Sequence, residues 1–130
     1  MTQNVSDRLI LKTIYRMYLS EFKSFDKESR VNKIYVPIDC DRVAKELNMD
    51  NEIVFGRLYY HLEKKHGYKQ TDGSSVNLFC LEIDGDRHVV HFPLLSAVLA
   101  EEEQSFLRFT IPIAISFIAL GLSIFTLITK

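Results

Sequence analysis

The residues from which this 130-residue chain could build a catalytic or metal centre are four histidines, two cysteines and 17 acidic side chains. Their spacing assembles no centre. His61 and His66 are five apart in a stretch of helical periodicity, so they fall on different faces. His88 and His91 share a β-rich stretch, where they point to opposite sides. Neither pair gives the common face that a zinc site needs. The run "DGD" at 84–86 has the composition of a turn and lacks the later oxygen ligands of a calcium loop. No Ser, His and Asp set, no phosphate-cradling glycine loop and no framed pair of acids is recognisable. Cys40 and Cys80 lack CxxC spacing and are expected to be structural thiols in a reducing compartment. The sequence therefore predicts a non-catalytic protein with no metal and no cofactor.

The chemistry that remains is recognition, and it concentrates in "IVFGRLYYHLEK" at 53–64. Val54, Leu58 and Leu62 recur at helical spacing and form a candidate core stripe. The opposite face carries Ile53, Gly56, Arg57, Tyr60 and Lys64. Gly56 would let the backbone approach a surface closely. Arg57 and Lys64 could reach phosphates or guanine edges, and Tyr60 could stack or hydrogen-bond. Arg87 adds a cation at the tip of a neighbouring hairpin. As solvated helix charges, Arg57 and Lys64 would need no partner at all.

These residues need elements to position them. Ser6 caps a first helix to Leu19, with Ile10, Ile14, Met17 and Tyr18 on one face. A polar stretch leads to "IYVPI", a short edge strand that tolerates Pro37. Asp39 and Asp50 each cap a helix, and the pairs Ile38 with Val43 and Met49 with Val54 are placed as hydrophobic staples. Asn48 between the two helices tolerates a left-handed helix end. The second helix has Lys64 and Lys65 in its last turn and stops at Gly67. "VNLFCLEIDGDRHVVHF" then reads as two strands around a tight turn.

This order, with the stretch "DCDRVAKELNMDNEIVFGRLYYHLEKKHGY", resembles the winged helix-turn-helix family over about residues 5–92. The resemblance implies an α+β domain, residues 1–92, of three helices plus a β-hairpin wing. It also implies DNA binding, with the second helix of the pair in the major groove and the wing beside it. Charge tempers that implication. Residues 1–70 carry 13 basic and 10 acidic side chains, a net +3, whereas residues 71–106 carry one base and seven acids, a net −6. That balance is far from a nucleic-acid arm.

The last segment is of another kind. Residues 109–129 hold 21 side chains without a charge, enough for roughly 31 Å of helix against a hydrocarbon core of about 30 Å. A single C-terminal transmembrane helix at 107–130 is expected, with Arg108 and Lys130 at its two interfaces. Pro112, Ser116, Ala119, Ser123 and Thr126 share one stripe, with Ala119 and Ser123 a small-xxx-small pair that suits homodimer packing. Pro112 predicts a kink or a helix start. An amphipathic connector at 93–106 either docks Leu95 and Leu99 on the domain or continues the membrane helix; docking is favoured. No export signal opens the chain, so the domain is expected in the cytoplasm, tail-anchored on the inner membrane.

The leading expectation is thus a membrane-tethered, transcription-regulator-like DNA-binding protein. The alternatives are a membrane-anchored adaptor whose winged helix binds a protein partner, and a small membrane-acting effector. Replacing Arg57 and Lys64 with Glu, or Ile53 and Tyr60 with Ala, separates the first two.

Overall fold

The computed structural model describes residues 5–129 apart from 29, 31 and 84. Lys130, expected at the far membrane interface, and Asp84, the first acid of the hairpin turn, lie outside the described residues. The elements run α1 (Asp7–Lys23), β1 (Tyr35–Pro37), α2 (Cys40–Leu47) and α3 (Asn51–Gly56), followed by a π-helical stretch (Arg57–Leu62) and α4 (Glu63–His66). Then come β2 (Tyr68–Lys69), β3 (Ser75–Val76), β4 (Phe79–Ile83), β5 (Asp86–His91) and α5 (Phe92–Thr129). The architecture is α+β, with a small sheet and a long C-terminal apolar helix.

Helix ends follow side-chain chemistry. The Ser6 hydroxyl accepts from the Leu9 N–H, the Asp39 carboxylate from the Asp41 and Arg42 N–H groups, and the Asp50 carboxylate from the Glu52 N–H. Asn48 sits at φ 55°, ψ 48°, the left-handed turn that lets α2 end and α3 begin three residues later. The staple residues Ile38, Val43, Met49 and Val54 are all buried beneath these caps. The Asp39 N–H donates to the buried Tyr18 hydroxyl at 2.8 Å, which ties α1 to the start of α2.

One sequence expectation changes. The helix at 51–66 is not uniformly α: the Glu63 N–H donates to the Leu58 carbonyl five residues back, so the stretch between is wound as a wider π turn. The helix stops at Gly67, as expected, with φ −67°, ψ 148°. Glycine is required there for space. A Cβ would strike the Glu63 carboxylate and come within 2.8 Å of the Glu63 carbonyl.

The three-stranded antiparallel sheet has the order β1-β5-β4, so among the described residues neither outer strand pairs with a further strand, and β1 is the edge position that Pro37 needs. The small β2–β3 hairpin is additional to the sequence reading. The core joins Ile10, Leu11 and Ile14 of α1, Val43 of α2, Val54, Leu58 and Leu62, the sheet residues Val36, Phe79 and Val90, and Phe92, Leu95 and Val98 at the start of α5. Of the connector residues expected to dock, Leu95 is buried in the core and Leu99 packs against it, yet the same helix also runs on without interruption into the apolar segment, so the two alternatives are combined. Phe92 stacks between Tyr15 and Phe22, at 5.4 and 5.0 Å. Each such side chain contributes roughly 1.5–3 kcal/mol on burial. The His91 Nδ1 caps this helix, accepting from the Leu94 N–H at 3.1 Å.

Two compact units result, one through Leu99 and one from Ala100 onward. The second is the distal part of α5, which continues through Pro112 without a break and is long and apolar enough to cross a membrane.

Candidate recognition surface

The five residues expected on one helix face are distributed differently. Tyr60 and Lys64 are exposed, Tyr60 at 71%. Ile53 packs against the core, and Gly56 is half-buried. Arg57 turns towards α1. Its Nη2 lies 2.6 Å from Asp7 Oδ1, and His61 Nε2 lies 3.0 Å from Asp7 Oδ2. The Arg57 and Asp7 side chains retain only 25% and 17% of their exposure. Tyr60 and Lys64 thus lie on the outer face that helical spacing predicts, whereas Ile53 turns to the core and Arg57 to α1.

Electrostatics at Asp7 are a contest. Burial raises its carboxyl pKa, but the hydrogen bonds and positive charge of Arg57 and His61 outweigh burial and hold it below the usual value. Arg57 is thus committed within the domain.

The exposed Tyr59 and Tyr60 sit at the edge of an aromatic cluster whose other rings, Phe55 and Phe79, pack into the core. Phe55 stacks on Tyr59 at 5.5 Å, Tyr59 meets Tyr60 edge-on at 4.9 Å, and Phe55 meets Phe79 edge-on at 5.7 Å. His88 of β5, held at φ 54°, lays its ring against Phe55 and Phe79. Between the helix and β4 opens a cleft of about 710 Å³, walled by Tyr59, Tyr60 and Lys64 on one side and Phe79, Leu81 and Glu82 on the other. Leu81 is 45% exposed. Glu63 closes one end, its Oε1 accepting from the Leu78 and Phe79 N–H groups at 2.6 and 3.1 Å. Arg87 is exposed on β5, directly across from Glu82 of β4.

Sequence reading missed Phe55, Tyr59, Phe79, Leu81, Glu63 and Asp7. The aromatic density of "VFGRLYYHL" was a visible signal, but which of its rings stay exposed depends on packing against the sheet. Nothing in the sequence links Asp7 to a helix fifty residues later.

Both thiols are free and buried. Burial pushes Cys40 up to about 11, and the nearby Asp39 charge acts in the same direction. Cys80 is also raised by burial, against the lowering effect of a hydrogen bond from Asn77.

On the distal part of α5, Ser116, Ser123 and Thr126 donate their hydroxyls to the carbonyls of Pro112, Ala119 and Leu122, four residues back. Each hydroxyl is therefore satisfied within its own helix, as a hydrocarbon surrounding requires. Ala119 adds the remaining small position of the stripe, and all four residues are exposed.

Comparison with protein-family models, with curated proteins and with solved structures gives no match.

Proposed function

We propose that this protein is a membrane-anchored adaptor. Its N-terminal unit is a winged helix-turn-helix variant that binds a protein partner, and its C-terminal helix holds that unit at a bilayer. The observation that carries the reading is the aromatic cleft between the helix at 57–66 and β4, where Tyr59, Tyr60 and Leu81 are exposed while the Arg57 guanidinium is turned inward to Asp7. Exposed Tyr beside aliphatic surface is the composition of protein-binding hot spots. The acids Glu63 and Glu82 line the same cleft and repel a phosphate backbone. The test replaces Tyr60 by a photoreactive benzophenone side chain in the full-length protein in cells. A discrete protein adduct that is missing when the benzophenone sits at Lys12 supports the adaptor; adducts with nucleic acid alone overturn it.

A second reading, the membrane-tethered DNA-binding regulator, is favoured by the order of elements and by exposed Lys64 and Arg87 near the helix and hairpin. Its test is fluorescence anisotropy of random-sequence duplex DNA with full-length protein in bilayer discs at two salt concentrations. Binding that weakens steeply with salt and vanishes in Lys64→Glu/Arg87→Glu establishes it; a flat signal at tens of micromolar removes it.

A further inference from the structure

We propose that the cleft takes an extended segment of a partner protein, which adds to β4 as a fourth strand of the sheet. This rests on the adaptor reading and specifies how the partner binds.

The argument starts at the backbone. Among the described residues β4 is paired with β5 on one side only, so its other edge is open to a strand. The Phe79 N–H points away from β5, because it donates to Glu63. Backbone groups alternate sides along a strand, so the Leu81 N–H points the same way. The Phe79 carbonyl and the Leu81 N–H then flank Cys80 as an acceptor and a donor, the pair that an incoming strand engages. Glu63 marks where pairing stops, since it already occupies the Leu78 and Phe79 N–H groups.

The edge is also unguarded. Protein sheets protect open edges with lysine, proline or a covering element. β4 reads Phe-Cys-Leu-Glu-Ile, with Leu81 exposed and one charge, Glu82. Facing this edge stand Tyr59 and Tyr60, a wall for alternate side chains of a bound strand.

Charge selects the occupant. Lys64 stands on the helix wall and Glu82 on the strand wall, so the cleft complements a segment bearing an acidic and a basic side chain. A polyanion meets Glu82, and an acyl chain leaves both charges unpaired. A peptide with both signs matches.

The experiment uses full-length protein in bilayer discs as bait for a random twelve-residue peptide library displayed on phage, with empty discs as control. Enriched peptides are synthesised with N-methyl groups on alternate backbone nitrogens, in the two possible phases. A strand loses roughly 3- to 10-fold in affinity per paired N–H removed, so one phase should abolish binding and the other leave it intact. In parallel, Leu81→Pro should weaken binding, and hydrogen exchange at Leu81 should slow in the complex. Equal loss in both phases overturns strand addition but leaves protein binding standing. No enrichment over empty discs overturns both. Two copies per disc that Leu81→Pro returns to one would make the occupant a second copy of this chain and overturn the partner segment.

Discussion

Asp7 Oδ1 holds Arg57 Nη2 at 2.6 Å while Asp7 Oδ2 holds His61 Nε2 at 3.0 Å, so a single carboxylate at the start of α1 fastens the π-wound turn fifty residues later. Arg57 and His61 lie four residues apart on one side of the helix, and each meets one oxygen of the acid. This pairing takes from the outer surface the guanidinium that nucleic-acid recognition would use.

The pairing sets an acid limit on stability. Asp7 has a lower pKa when folded than when unfolded, so it stabilises the fold above about pH 4, and that contribution disappears as pH falls through the folded value. Asp7→Asn should cost about 1 kcal/mol at neutral pH and almost nothing near pH 2. Urea unfolding followed by tyrosine fluorescence checks this, since the chain has six Tyr and no Trp. A constant difference between the two proteins from pH 7 to pH 2 would refute it.

His91 gives a second, separate pH window. Burial lowers its pKa against a smaller opposing effect of its own backbone hydrogen bond, and its neutral Nδ1 accepts from the Leu94 N–H. A lowered folded value means that stability is complete above about pH 6.5 and declines as pH falls through that value, because the folded state resists the proton. His91→Asn keeps an acceptor at the helix start and should flatten the slope between pH 7 and pH 5. If the slope survives, the titration lies elsewhere.

Two glycines should respond in opposite senses. Gly67→Ala forces a methyl group against the Glu63 carboxylate and carbonyl, which displaces the side chain that holds Leu78 and Phe79. The expected cost is about 1–3 kcal/mol. Gly56→Ala adds a methyl that meets only Tyr60 Cδ2 at 3.8 Å, ordinary contact within a helix. It should stabilise by up to about 1 kcal/mol. Thermal unfolding of both variants decides, and a Gly56→Ala variant that melts lower would mean the turn at 57–62 needs glycine flexibility.

The helix caps show how far the sequence could be read. Asp39, Asn48 and Asp50 were legible because capping is local chemistry, decided within three residues of each boundary. The apolar C-terminal helix was legible from length and composition, and the docking of Leu95 from the need to cover the sheet. The recognition surface was harder, because it depends on packing between elements. Arg57 turns to Asp7 of α1, and Tyr59 lines the cleft with Tyr60 against β4, neither of which local spacing decides. The stop at Gly67 was legible, but not its cause: Glu63 fills the space a Cβ would need. Long-range pairs such as Asp7–Arg57 and Glu63–Leu78 lie beyond any local signal.

The thiols provide a test of burial. A Cys40 value of about 11 leaves on the order of one thiolate in a thousand at pH 8, and the thiolate is the reacting form. Iodoacetamide should therefore modify Cys40 and Cys80 slowly in the folded protein and fast in urea, as read by mass. Prompt single labelling of the folded protein would show that one of the two sites opens.

The distal part of α5 carries the membrane half of the proposal, and one charge tests it. Ile118 lies mid-segment, 64% exposed, among residues without a formal charge. A charge at that depth costs about 2.5–3.5 kcal/mol on insertion scales, and no acid within the segment can offset it. Wild-type protein should stay with membranes after alkaline carbonate extraction, whereas Ile118→Arg should shift much of it to the soluble fraction. Ala119→Ile adds bulk without charge, so it should leave extraction unchanged and lower crosslinked dimer only if spans pair through the small stripe. Release of wild-type protein by carbonate would remove the anchor from the proposal, and the adaptor would then need another means of reaching a bilayer.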